Sequence, residues 1–376
     1  MTRQLILLGG GPAHLGLLAQ LAKQMPHGDL GDVKITLISR NQRYTNQQLL
    51  PEFVAGRMAL NDCSVDLEPL VQKTRIQWIE AQTMALDAAA QALLLADGQE
   101  IRYDWLSIDL EPVQNRKRAQ LHMPGSQANG LFVRPTAVFC KLWPGVVELA
   151  ATQPLRVAII CDSASAPASP ARADEAHQEI AAIELAMAIN HALPHCATTL
   201  ITGGAPLASA STASIRDRLA KTLKRKKLTV LADSATAIQP GEIVLASGAT
   251  LACDVPVLAT AASPPAVAAS SGLALDAQGF ISVDASLRSV SHPNVVVASG
   301  SDLHNNLVAH TLTQATGLPF STATDHRARI VSGLRFVSTS DGHAIAGWRG
   351  YSASGRMSAW LKRVIDHSRM ASYRPQ

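Results

Sequence analysis

The sequence predicts an α/β protein made of two βαβ units followed by a C-terminal appendage, and three observations carry that prediction. The apolar run Leu5-Ile-Leu-Leu8 enters a glycine turn, Gly9-Gly10-Gly11, close to the start of the chain. A second apolar run, Leu155 to Ile160, opens another strand–helix–strand series. The stretch from Arg335 to Gln376 has a composition of its own. Strands alternating with helices define the α/β class, with parallel strands as its usual arrangement. Two such units in one chain suggest a duplicated dinucleotide-binding plan.

In chain order, Leu5–Leu8 is a buried strand, Leu15 to Met25 has helical spacing and Val33 to Ile38 is the next strand. A β-rich stretch follows, with Ile76–Ile79, then Ala92–Leu95 before the turn Asp97-Gly98, then Tyr103 to Asp109. The second unit has its strand at Leu155–Ile160, interrupted by an Ala/Ser/Pro-rich run from Ser163 to Ala173. Ile180 to Ala192 resumes as a helix, and Thr198 to Thr202 is a strand. Val255–Thr260 and Val295–Ala298 read as strands of a returning first unit. The expected division is 1–150 plus 250–325 for the first domain, 151–249 for the second and 326–376 for the appendage.

Composition narrows the functional classes. With 376 residues and 47% hydrophobic content, the chain can bury two cores of ordinary size. A net charge of only +4, spread along the chain, gives no footprint for nucleic acid. Five cysteines without a C-x-x-C pair argue against a disulfide scaffold or a dithiol centre and favour a reducing compartment. The N-terminal residues lack a signal-peptide pattern. The longest uncharged stretch, Val255 to Leu275, is broken by three prolines, so no spanning helix is expected there. The expected location is the cytoplasm, with peripheral contact at the inner face of the membrane.

Gly9 and Gly11 occupy the first and third places of a G-x-G-x-x-G turn, with Pro12, Ala13 and His14 completing it. The first glycine permits the tight turn, and the second lets a pyrophosphate approach backbone amides at a helix N-terminus. His14 replaces the last glycine, which should hold the helix slightly further from its strand. The second strand ends at Ser39-Arg40, where dinucleotide sites often place an acidic ribose ligand. Ser39 is the candidate for a ribose hydroxyl, and Arg40 either covers the adenine side or is a solvated strand end.

Several segments together resemble the NADH dehydrogenase-like flavoproteins of the FAD-dependent pyridine nucleotide-disulfide oxidoreductase family, especially the branch found fused to selenide, water dikinase. They are Leu5 to Leu18, Gln48 to Gly56, Val133-Arg-Pro135, Ser271 to Asp284 running into Leu287 to Val295, and Trp360 to Met370. The resemblance implies two Rossmann-like domains of the glutathione reductase-like type. It implies FAD in the first, NAD(P)H in the second, and a quinone or similar electron acceptor. It assigns Gly9, Gly11 and Ala13 to the pyrophosphate, Leu50 to the loop near the isoalloxazine ring, Gln314 to a place beside the flavin, and Ser301 or Asp302, after Gly300, to the ribityl chain. Leu110 and Glu111 stand where the family has a glycine, and would crowd or repel the cofactor. In the second unit the family's glycine turn is replaced by Cys161-Asp162-Ser163-Ala164, which impairs an NAD(P)H site. The helix after it keeps the family pattern, including Glu184 where the family has a glutamate facing the nicotinamide, which makes Glu184 the candidate catalytic side chain.

Cys140 and Cys161 invite comparison with sulfide:quinone oxidoreductases, but those enzymes need a cysteine nearer the C-terminus, and none follows Cys253. Buried structural cysteines are the reading adopted. His191, His195 and Cys196 are separated by Pro194, so no metal is expected. The run Lys224–Lys227 reads as a solvated helix end. Met357 to Met370 reads as an amphipathic helix with Trp360, Leu361, Val364 and Ile365 on one face, open to a membrane, to a partner or to docking on its own fold. The rival to an oxidoreductase is a degenerate relative that keeps the fold as a complex-forming subunit.

Overall fold

The computed structural model describes residues 2–24, 32–74, 76–111, 113–161, 173–208, 211–298, 302–318, 320, 334–348 and 350–374, with the side chains of 173–177 and 302–305 left aside. The low-complexity run 163–172, Asp162, Gly300 and Ser301 lie outside the described residues. Two five-stranded sheets, parallel throughout, form the centre of the fold. The first runs Val295–Val297, Trp105–Ile108, Arg3–Leu8, Val33–Ile38, Gln77–Ile79. The second runs Leu131–Phe132, Val255–Leu258, Arg156–Ile160, Ala197–Ile201, Thr229–Leu231.

The two halves repeat one plan. Each opening strand pairs with the strand after its helix, Arg3–Leu8 with Val33–Ile38 and Arg156–Ile160 with Ala197–Ile201. Each half then builds a three-stranded antiparallel meander, 83–102 in one and 235–252 in the other. From the meander the chain re-enters the parallel sheet beside the opening strand. Val255–Leu258 therefore belongs to the second sheet, and only Val295–Val297 returns to the first. A short apolar strand is buried on both faces whichever sheet receives it, so its residues could not distinguish the two. The helix Ala173–Ala192 also starts well before Ile180, inside the low-complexity run's end.

The appendage is a hairpin of three strands, Leu334–Ser338, Ala344–Trp348 and Tyr351–Gly355, followed by the helix Arg356–Tyr373. It spans both halves. Val337 and Ile345 join the core of the second, while Met370 and Tyr373 join the core of the first. The helix Ala213–Arg225 grips the hairpin through Arg218, which donates to Ser352 Oγ at 2.7 Å. The basic run after it is more than a solvated end, because Lys226 Nζ lies 3.2 Å from Asp341 in the hairpin turn. Among the described residues, no helix is long and apolar enough to cross a membrane.

Candidate functional site

The helix Pro12–Gln24 begins directly after the glycine turn, with proline in its first turn, where no amide hydrogen is required. Gly9 has φ +101°, and a Cβ there would lie 2.2 Å from the Asp109 carbonyl oxygen. Only glycine satisfies both the backbone and the space. His14 is fully buried beneath the turn. Its Nδ1 lies 2.7 Å from the Gly9 carbonyl and its Nε2 lies 2.8 Å from Ser107 Oγ. A carbonyl only accepts, so Nδ1 carries the proton and the Ser107 hydroxyl donates to Nε2. Burial lowers the His14 pKa, against the pull of Asp109 and Gly9, so the ring is neutral. The imidazole thus ties the turn to the strand Trp105–Ile108 in the place of a third glycine.

Asp109 completes the turn. One carboxylate oxygen, Oδ2, accepts from the Ala13 amide at 2.7 Å and from the His14 amide at 3.0 Å. These are amides of the kind that a helix N-terminus offers to a phosphate. A Cβ on Gly11 would lie 2.3 Å from the same carboxylate, so the open side of that glycine is filled as well. Burial raises the Asp109 pKa, while His14 and the two amides draw it back. Sequence reading singled out Leu110 and Glu111 and passed over Asp109. The available signal was an acidic residue ending the strand next to a glycine turn. Glu111 does not reach the turn; its Oε1 accepts from the Thr136 amide at 3.2 Å and Thr136 Oγ1 at 2.8 Å. It therefore caps the helix Thr136–Thr152.

The other candidates are spread more widely. Ser39 is buried and its hydroxyl donates to the Asn41 carbonyl at 2.8 Å, while Arg40 is exposed at the strand end. Leu50 is packed in the second core, where its short helix Leu50–Val54 meets Ala173–Ala192. Gln314 is exposed on the helix Asp302–Thr316, with Nε2 3.0 Å from His310 Nε2. Asp302 is the first residue of that helix.

Glu184 lies in a buried polar cluster gathered from four segments. Its Oε1 accepts from the Ser338 amide at 2.5 Å, and Ser338 Oγ donates to Glu52 Oε1 at 2.6 Å. Lys362 Nζ sits 2.7 Å from Asp366, both on the terminal helix. Burial pushes the Glu184 carboxyl up to about 7, with Lys362 and the Ser338 amide pulling the other way. Burial acts to lower the Lys362 pKa, but Glu184 and Asp366 outweigh it and raise it. A cavity of about 330 Å³ adjoins this cluster, lined by Glu52, Ser338, Lys362 and Asp366 among others. Cys140 is buried and its thiol is pushed up to about 12 by desolvation, which suits a structural cysteine rather than a nucleophile.

No family model matches the chain. Over 112 residues it is 30% identical to the sulfide-quinone reductase of Aquifex aeolicus (strain VF5), a stretch covering 30% of this chain and 25% of that relative. The match thus spans a quarter of the relative's length. The solved sulfide:quinone oxidoreductase of Aquifex aeolicus superposes with TM-score 0.76 at 16% identity, over 99% of this chain and 91% of that one. The NDH2 of Plasmodium falciparum in complex with NADH gives 0.69 at 14% identity, over 99% and 97%. A NAD-dependent persulfide reductase from A. fulgidus gives 0.66 at 15%, over 99% and 77%. Likeness across nearly the whole chain at such low identity is a statement about architecture. The chain shares the two-Rossmann-domain fold of these solved oxidoreductases.

Proposed function

We propose that the chain is an FAD-dependent oxidoreductase of the NADH dehydrogenase-like type, passing electrons to a quinone or similar acceptor with an impaired NAD(P)H site. The observation that carries this reading is the first turn, an anion site that already holds an anion, the Asp109 carboxylate, on two helix amides. A pyrophosphate suits the same donors, and Gly9, Gly11, Ala13 and His14 are the residues that would hold it. Bound there, FAD supplies the electron-transfer chemistry of its isoalloxazine ring. The chain contributes the rest. Neutral His14 braces the turn without adding charge. Glu184, at about 7, is suited to hold or release a proton near neutral pH.

The outward face of the terminal helix supports work at an anionic membrane surface, where a quinone acceptor is found. Met357 and Trp360 are exposed there beside a cleft of about 730 Å³ lined by Arg57, Arg356 and Arg363. A second reading, a cofactor-free subunit that keeps the fold, draws on the same Asp109 carboxylate, since it fills the turn. Purification separates the two. A flavoprotein is yellow and releases FAD on heating, and its flavin bleaches slowly or not at all with millimolar NADH under anaerobic stopped flow. Protein that stays colourless after soaking with FAD overturns the oxidoreductase reading, and rapid saturable bleaching overturns the impaired NAD(P)H site.

A further inference from the structure

Asp109 lies just past the strand Trp105–Ile108 and reaches across to the first turn of the helix Pro12–Gln24, whose amides any anion in its place could equally satisfy. The side chain is buried, 3% exposed, and spends one oxygen on the Ala13 and His14 amides. It also fills the space over Gly11, 2.3 Å from where a Cβ would be. Both devices that admit a pyrophosphate, free amides and a bare glycine, are therefore taken by one side chain. We propose that Asp109 is an internal ligand of the phosphate turn, which a nucleotide pyrophosphate must displace before it can bind.

The physical case is one of exclusion and of charge. Each amide has one hydrogen, so carboxylate and phosphate compete for it. Two anions cannot share a buried site without a cation between them. Among the described residues, the titratable side chain acting on Asp109 is His14 rather than a lysine or arginine. His14, beneath the turn, is neutral. Tyr44, on the strand Arg43–Thr45, is held protonated by burial, with Tyr373, Glu111 and Arg369 acting on it from further out. The guanidinium of Arg369 is engaged with Gln48. Binding is thus an exchange of one anion for another, and the displaced carboxylate swings away or takes up a proton.

The ligand named here rests on the flavin reading, but the exchange can be tested without it. Full-length wild type, Asp109→Asn and Asp109→Ala are compared after circular dichroism melts establish that each is folded. FAD affinity is read by flavin fluorescence, and inorganic pyrophosphate affinity by calorimetry. The expected result is that both ligands bind Asp109→Ala about tenfold tighter than wild type, or more, with Asp109→Asn between them. If Asp109→Ala does not fold, Asp109→Asn alone carries the comparison, because it keeps the size and removes the charge. A gain for pyrophosphate with no FAD binding by any variant upholds the exchange and removes the flavin reading. Equal or weaker affinity in both variants overturns the exchange, and so does the absence of binding of either ligand to all three proteins.

Discussion

A Cβ at Gly11 would lie 2.3 Å from the Asp109 carboxylate, well inside any real contact, although the backbone there is of a kind any residue adopts. Gly11→Ala should therefore cost about 1–3 kcal/mol through overpacking. On an Asp109→Ala background the same change should cost much less. Denaturant unfolding of the two single variants and the double variant measures the coupling. Additive costs would mean that the carboxylate is not what confines Gly11. The second residue-scale expectation concerns Glu184, whose folded pKa of about 7 lies above the ordinary value of 4.5. Between these values the folded chain binds more protons than the unfolded one, so this group's contribution to stability falls as pH rises through the window. Wild type should therefore lose about 3 kcal/mol relative to Glu184→Gln between pH 4.5 and 7. Parallel pH profiles of stability for the two proteins would refute the assignment.

At the scale of elements, the terminal helix has two working faces. Ala359, Lys362, Asp366, Met370 and Tyr373, spaced three or four apart, turn inward; Asn46 Nδ2 meets Met370 Sδ at 3.6 Å. Met357, Trp360, Leu361 and Val364 turn outward, with Trp360 61% exposed. Of the stripe that sequence periodicity gives, Trp360, Leu361 and Val364 are exposed and Ile365 is half-buried, and a second, smaller and partly charged stripe does the docking. A small residue such as Ala359 and a paired Lys–Asp carry no apolar signal, which is why that face was not legible. Replacing Trp360, Leu361 and Val364 by serine should leave the fold intact and remove sedimentation with anionic liposomes. Loss of binding at raised salt in the wild type would fit the arginines beside it, each contributing about 1 kcal/mol. Undiminished sedimentation of the triple variant would exclude this face as the contact.

At the scale of the molecule, the appendage joins the halves. Its hairpin is fixed to the second half by Arg218 and by Asp341, whose carboxyl, despite its burial, is held at about 2 by Thr339 and Lys226. Its helix is fixed to the first half through Met370 and Tyr373. Truncation before Met357 should lower the melting temperature and expose apolar surface, because Met370 and Tyr373 leave the core of the first half. Near-ultraviolet dichroism and dye binding would register this. An unchanged melting curve would show that the helix contributes nothing to the cores.

The two βαβ units, the glycine turn and the separate tail were legible because each is local: apolar runs, glycine spacing and composition occupy adjacent residues. Glu184 became a candidate only through the resemblance of its helix to the NADH dehydrogenase-like flavoproteins. The partners of Glu184 come from residues 52, 338 and 362, and Asp109 meets Ala13 across 96 positions of sequence. The Glu184 contacts have no sequence signature, and the acidic strand end at Asp109 acquires its partner only through the parallel pairing of Arg3–Leu8 with Trp105–Ile108, which brings it beside the turn. The sheet that receives Val255–Leu258 was undetermined for the same reason. The sequence by itself determined the opening strands of both units, the helices that follow them and the glycine turn. Only the tertiary structure decided what fills that turn, because occupancy of a helix N-terminus depends on which distant strand end lies next to it.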